Sequence, residues 1–294
     1  MKNRALAIGK FEGVHLGHQK LLAEVVRHAQ NAGLLSSVML FRPHPYIFFG
    51  DANYKPLFTH EEQEILLKNI GIDEIIYQNF DETFVALEPT DFCSLIFAEL
   101  NAKLVIVGEN YRFGKGRAGD TELLRNQAAA YGAEVQTISE STDGTLISTS
   151  GIRKLLCDKL PEANRQLGFS FFITGIVTRG KQLGRTLDFP TLNIYPRECK
   201  FLLADGVYVT KTEIDSVVYN SVTNIGLRPT VDSTSPRRSV ETHLLDCNVG
   251  ELYSAEVNIK FEKFIRTEKR FGSLDELKSQ IAQDADLARA YHSL

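Results

Sequence analysis

Cysteine is scarce: the four residues Cys93, Cys157, Cys199 and Cys247 are scattered and form no C-x-x-C pair, which argues against a zinc site or a redox motif and suits a reducing compartment. No apolar run approaches the roughly eighteen residues needed to span a bilayer. Met1-Lys2-Asn3-Arg4 leads straight into a brief apolar strand without a signal-peptide core. Dense basic stretches are missing too, and the net charge of −4 leaves no general footprint for a nucleic-acid backbone, so any anion has to be held by a local device. Internal repeats and low-complexity segments are absent. The expectation is a cytoplasmic protein with neither a membrane nor a nucleic acid as partner. What is present is ordinary for a soluble globular chain of two domains or one large one: 294 residues, 43% hydrophobic and 24% charged.

From Ala5 to about Ile138 short apolar strands alternate with helices, the rhythm of a parallel sheet with crossover helices. Leu21, Leu22, Val25, Val26 and Ala29 fall at helical spacing and stop at Gly33, where a left-handed cap is expected. Thr59 and Glu62 read as a capping box before a helix closed by Gly71. The rhythm changes after Leu160-Pro161. From Phe169 onward the segments are short, rich in Val, Ile, Thr and Tyr, and punctuated by Gly, Pro and Asn, a pattern that predicts an antiparallel barrel or sandwich. Ser273 to Glu276 reads as a capping box for a final helix with Leu274, Leu277, Ile281 and Leu287 on its apolar side.

The strongest motif is Gly9-Lys10-Phe11-Glu12-Gly13-Val14-His15-Leu16-Gly17-His18, at a strand-to-helix turn. Its two imidazoles, His15 and His18, sit beside the free N–H groups of the helix, where anions are favoured, and Gly17 allows a nucleotide to approach the backbone. Phe41-Arg42-Pro43-His44-Pro45 holds His44 rigidly at another strand end. Gly114 to Gly119 satisfies G-x-G-x-x-G but lies beyond the wrong strand for a dinucleotide fingerprint, and Arg112, Lys115 and Arg117 suit a flap over polyphosphate instead. Ile147-Ser148-Thr149-Ser150-Gly151-Ile152-Arg153 places three hydroxyls and a guanidinium at a helix start. In the second half, Gly175 to Lys181 falls one residue short of a P-loop because Gln182 stands where Ser or Thr would hold magnesium. Gly184 and then Phe189-Pro190-Thr191-Leu192-Asn193 follow, so glycine N–H groups could wrap phosphate while Thr191 and Asn193 offer neutral oxygens to Mg2+.

Together with Asn224 to Thr230, Glu241 to Asp246 and Phe264 to Glu268, these motifs span nearly the whole chain and resemble the bacterial bifunctional riboflavin kinase/FAD synthetases. The resemblance implies an α/β plus β architecture. Residues 1–160 would form a Rossmann-like nucleotidyltransferase domain with a parallel sheet, and residues 168–294 an antiparallel β-barrel riboflavin kinase domain with a terminal helix. It implies phosphorylation of riboflavin to FMN and adenylylation of FMN to FAD, both with Mg-ATP, flavins being substrates and products. His15, His18 and Glu241 are then the catalytic residues, Glu241 as base for the ribityl 5′-hydroxyl. ATP contacts fall to Gly9, Phe11, Gly17, His44, Ser148 and Arg153 in the first half, and to Gly175, Gly180, Lys181, Gly184, Thr191 and Asn193 in the second, where Thr191 and Asn193 also hold Mg2+. Flavin contacts fall to Asn110, Arg112, Phe113, Arg228 and Arg266. Glu12 stands where the family most often has aspartate. A tRNA-linked synthetase of the same histidine class and a flavin- or nucleotide-binding regulator are the competing readings; the first lacks a basic surface, and Thr191, Asn193 and Glu241 weigh against the second.

Overall fold

A computed structural model describes residues 2–139, 141–142, 145–179, 189–228, 237–247 and 252–293. The chain divides into two compact units, Met1–Thr149 and Ser150–Leu294.

The first unit runs β1 (Arg4–Ile8), α1 (Leu16–Ala32), β2 (Leu35–Arg42), α2 (Pro45–Phe48), α3 (His60–Ile70), β3 (Glu74–Asn79), α4 (Glu82–Val85), α5 (Pro89–Ser94), β4 (Ala102–Gly108), α6 (Thr121–Ala130), β5 (Glu134–Ile138) and a small hairpin of β6 (Ser141–Thr142) and β7 (Thr145–Leu146). Its main sheet has the order β3-β2-β1-β4-β5, with every pair parallel. The central strands of such a sheet are covered on both faces, which is why β1 and β4 read as mostly apolar runs, while the edge strands β3 and β5 carry polar residues and are only partly buried. Leu6, Ile8, Met39, Val105 and Val107 pack against Phe92, Ile96 and Phe97 on one side. The helix ends follow their signals: Gly33 takes φ 64° after α1, and Thr59 and Glu62 exchange both capping-box bonds at α3. The chain leaves β1 towards β2 on one side and returns to β4 on the other, so the crevice beyond the carboxyl ends of β1 and β4 is the topological switch point.

α7 (Thr149–Asp158) starts at the division, and α8 (Leu160–Leu167) lies within the second unit. Asn164 of α8 donates to the Phe261 carbonyl at 2.8 Å and accepts from the Phe171 N–H at 2.9 Å. Six strands follow, β8 (Phe172–Ile176), β9 (Leu192–Ile194), β10 (Gly206–Ile214), β11 (Val217–Arg228), β12 (Arg237–Leu244) and β13 (Glu256–Arg266), then α9 (Leu274–His292). They pair in the order β8-β13-β10-β11-β12-β9, all antiparallel. Thr178, just past β8, bridges Asn193 of β9, its N–H donating to the Asn193 carbonyl at 2.8 Å, so the two outer strands meet and the sheet closes into a barrel. Phe261, Ile225, Val240 and Ile194 fill the interior beside Thr210, Thr212, Ser221, Thr223 and Thr242, whose buried hydroxyls bond one another at 2.7–2.9 Å.

α9 differs from its expectation in two respects. Leu274 and Leu287 are 58% and 56% exposed, and the face laid on the barrel is Asp284, Ala285 and Ala288. Alanines let the helix approach Val207, Val209 and Val222 closely, while Asp284 is made tolerable by Arg266. Ser273 caps the Glu276 N–H, but the Glu276 carboxylate accepts from Gly272 rather than from Ser273.

Candidate active sites

In the first unit the turn between β1 and α1 is held in a costly shape. Phe11 and Val14 both have φ 42°, a region that residues with a Cβ rarely adopt, so neighbouring groups have to hold the turn. Gln63 of α3, itself 6% exposed, donates to the carbonyls of Lys10 at 2.9 Å and Phe11 at 2.8 Å. Gln19 donates to the Val14 carbonyl at 2.8 Å. Glu12 points inward, where its carboxylate accepts from the Leu57 N–H at 3.0 Å and from the Tyr54 hydroxyl. The added methylene of glutamate is thus used for an anchor within the fold. A Cβ on Gly9 would come within 3.0 Å of the Phe11 ring, which lies edge-on to His18.

This turn delivers His15 as the N-cap of α1, its Nδ1 accepting from the His18 N–H at 3.4 Å. With Nδ1 an acceptor, the proton of a neutral His15 resides on Nε2 and can be donated. The rings of His15 and His18 stack with centroids 3.7 Å apart. Burial holds His15 down to about 4, and burial, then His15, then Lys10 push His18 well below its ordinary value. Both are neutral donors at pH 7. His18 Nδ1 is buried without a hydrogen-bond partner among the described residues. The first turn of α1 carries no acidic residue to compete with an anion for its N-terminus, where the His18 N–H is the one capped by His15. Thr149 brings its hydroxyl to 3.6 Å from where a Gly13 Cβ would stand, so the Ser148-Thr149 segment borders the same turn. His44 caps α2, stacks on Tyr54 at 4.6 Å and has Nε2 3.6 Å from Glu12.

Asn110 and Arg112 line an open groove of about 420 Å³ with Glu109, Tyr111, Asp120 and Arg125, and Arg112 pairs with Asp120 at 3.2 Å. Phe113 turns the other way, 5% exposed against Phe92 at a centroid distance of 4.8 Å. Its backbone closes the glycine loop by bonding Gly119 in both directions at 2.9 and 3.1 Å.

In the second unit, barrel register brings Asn224 of β11 opposite Glu241 of β12, and Glu241 opposite Asn193 of β9, on one face. The Asn193 amide donates to the Thr191 carbonyl and hydroxyl at 3.2 and 3.4 Å, while its Oδ1 is buried with no hydrogen-bond partner among the described residues. A buried amide oxygen left over beside a hydroxyl is the donor set a hard cation takes when phosphate supplies the rest. His243, on the same face as Glu241, holds the Pro190 carbonyl at 2.9 Å and lies edge-on to Phe189, fixing the approach to Thr191. Gly175 packs so closely that a Cβ would meet Ile194 at 3.0 Å, so barrel closure alone calls for glycine there. Arg266 grips Asp284 with contacts of 2.6–3.1 Å and holds α9. Arg153 belongs to this unit and lies 4.9 Å over the Phe201 ring. Gly180, Lys181 and Gly184 lie outside the described residues, as does the side chain of Arg228, the last residue of β11. Sequence reasoning missed Gln63, Tyr54 and Leu57 as supports of the turn; no local pattern signals contacts across more than forty residues.

A family model described as FAD synthetase matches residues 1–151, and one described as riboflavin kinase matches residues 167–292. A protein named bifunctional riboflavin kinase/FMN adenylyltransferase from Escherichia coli (strain K12) is 38% identical over 98% of this chain and 93% of its own length. One of the same name from Bacillus subtilis (strain 168) is 35% identical over 98% of this chain and 92% of its own. A crystal structure described as a macrolide-efflux protein from Streptococcus pneumoniae superposes with TM-score 0.86 at 27% identity, covering 98% of this chain and 95% of that one. In the present chain no helix among the described residues is long and apolar enough to cross a membrane.

Proposed function

The chain belongs to the bifunctional riboflavin kinase/FMN adenylyltransferases, and from that premise we propose how its two units divide the chemistry. The barrel phosphorylates riboflavin to FMN, and the α/β unit joins FMN to AMP from ATP, releasing pyrophosphate. What carries this division is that each unit holds its own reactive set, the His15–His18 stack at a helix N-terminus in one and the Asn224–Glu241–Asn193 row in the other.

In the barrel the Glu241 carboxylate takes the proton of the ribityl 5′-hydroxyl as that oxygen attacks the γ-phosphorus and the bond to the β-phosphate oxygen breaks, leaving ADP. Thr191 Oγ1 and Asn193 Oδ1 would hold Mg2+ together with the ATP phosphates, and the metal when bound draws charge from the phosphate oxygens. Asn193 is kept aimed by its bonds to Thr191, and His243 keeps that strand entry in place through Pro190. In the α/β unit an oxygen of the FMN phosphate attacks the α-phosphorus and the α–β bridging bond breaks. No proton need move. The N–H groups of α1, His15 Nε2–H and the His18 ring donate to the phosphates, with Gly9, Phe11, Gly17, His44 and Ser148 shaping the pocket around them. Asn110 and Arg112 contact FMN from the groove, while Phe113 supports that wall from the core.

The test is chromatographic separation of riboflavin, FMN and FAD after incubation of variants with ATP and Mg2+, started either from riboflavin or from FMN. Glu241→Gln should lower FMN formation by about 10²–10⁴-fold and leave FAD formation from supplied FMN unchanged. His18→Asn should lower FAD formation by about 10²–10³-fold and leave an FMN-producing enzyme. Loss of both activities from either folded variant would refute separate sites.

A further inference from the structure

The imidazoles at the N-terminus of α1 are neutral, so they bring hydrogen bonds to the phosphates but no charge. The turn itself contains one cation, Lys10, between Gly9 and Phe11. Its backbone is fixed by the Gln63 amide, yet its side chain is exposed, and its ammonium lies 3.4 Å from the Tyr46 hydroxyl and 4.4 Å from the centre of that ring. Tyr46 lies in the first turn of α2, just beyond the carboxyl end of β2, so Lys10 lies along the sheet edge where ligands of such folds bind. Three cations named in the motifs of this unit do have acid partners: Arg42 lies 3.8 Å from Glu64, Arg112 3.2 Å from Asp120 and Lys115 3.1 Å from Glu88. Lys10 pairs with no carboxylate among the described residues, and Glu12, two positions on, spends its oxygens on Leu57 and Tyr54. The charge of Lys10 is felt at the His18 ring.

We propose that Lys10 is the residue that brings charge to the pyrophosphate end of the adenylyl-transfer site, moving from Tyr46 onto the β- and γ-phosphates of ATP. When the FMN phosphate oxygen bonds the α-phosphorus, the electron pair of the broken α–β bond stays on the departing pyrophosphate. A mobile ammonium whose charge reaches the His18 ring meets that added charge as it forms, and the flexible lysine stem permits the swing. The inference rests on the assignment of the His15–His18 turn to adenylyl transfer and adds to it a residue whose role is charge.

The experiment compares Lys10→Met, Lys10→Arg and His18→Asn in the full chain, with urea unfolding of each variant reporting an intact fold and riboflavin phosphorylation reporting an intact barrel. FAD formation from FMN should fall about 10²-fold in kcat for Lys10→Met and recover most of its rate in Lys10→Arg. Inhibition by added pyrophosphate should weaken in the methionine variant and persist in the arginine one. Unchanged FAD formation in Lys10→Met beside a defective His18→Asn overturns the role of Lys10 while the site assignment stands; unchanged FAD formation in all three overturns the site assignment itself. An arginine variant as defective as the methionine one also overturns the proposal, because charge would not be what was lost.

Discussion

Whether a histidine at a phosphate is an imidazole or an imidazolium is decided by what surrounds it, and burial decides it for His15. A free histidine titrates near 6.5 and buried His15 near 4, so the unfolded chain binds a proton there before the folded one does. Stability from this residue is therefore complete above the unfolded value and lost as pH falls from about 6.5 towards about 4, by about 3 kcal/mol in all. Urea unfolding of the wild type at about pH 7.5 and about pH 4.5 should show this loss, and His15→Gln should show a smaller one; equal losses would refute the buried neutral form. At the same scale, Gln63→Ala strips two carbonyls of their donor. It should cost about 1–3 kcal/mol and depress FAD formation with riboflavin phosphorylation intact, since the turn over Phe11 and Val14 relaxes. The histidines were legible from spacing and the glycines around them. Gln63 was not, because within its own helix it reads as one more polar residue, and only the fold puts it under the turn.

An element is legible when its partners are close in sequence and obscure when they are distant. α1, α3 and β5 follow from periodicity and end signals, all local. α9 shows the other case, since its leucines repeat at helical spacing yet Asp284, Ala285 and Ala288 form the buried face. What decides that orientation is Arg266 on β13, whose guanidinium the Asp284 carboxylate accepts at two nitrogens. Asp284 is 3% exposed and Arg266 only partly buried, so Asp284→Ala should leave a part-buried guanidinium without its acid and cost about 2–3 kcal/mol. Thermal unfolding followed by loss of riboflavin phosphorylation measures this, and a cost under about 1 kcal/mol would mean the pair behaves as a surface one. Gly175 teaches the same lesson from the other side. Its sequence context suggests a phosphate loop, but the nearest demand on it is the Ile194 side chain across the closing strands.

Two units in one chain raise the question of where one ends, and the composition shift after Pro161 is only part of the answer. Sequence motifs assign residues 150–160 to the first domain and leave 161–167 between the two, yet contacts group residues 150–167 with the second unit. The Asn164 side chain explains why, as it satisfies the Phe171 N–H and the Phe261 carbonyl, backbone groups of the barrel that lie 7 and 97 residues from it in the chain. A fragment of residues 168–294 would keep every strand but leave both groups without that partner, at about 1–3 kcal/mol for each that stays buried. A fragment of residues 150–294 would keep them paired. The longer fragment should therefore unfold at higher urea and retain riboflavin phosphorylation to higher temperature than the shorter one. Asn164→Ala in the longer fragment should bring its urea midpoint down towards that of the shorter, which separates the hydrogen bonds of this residue from the bulk of the helices that carry it.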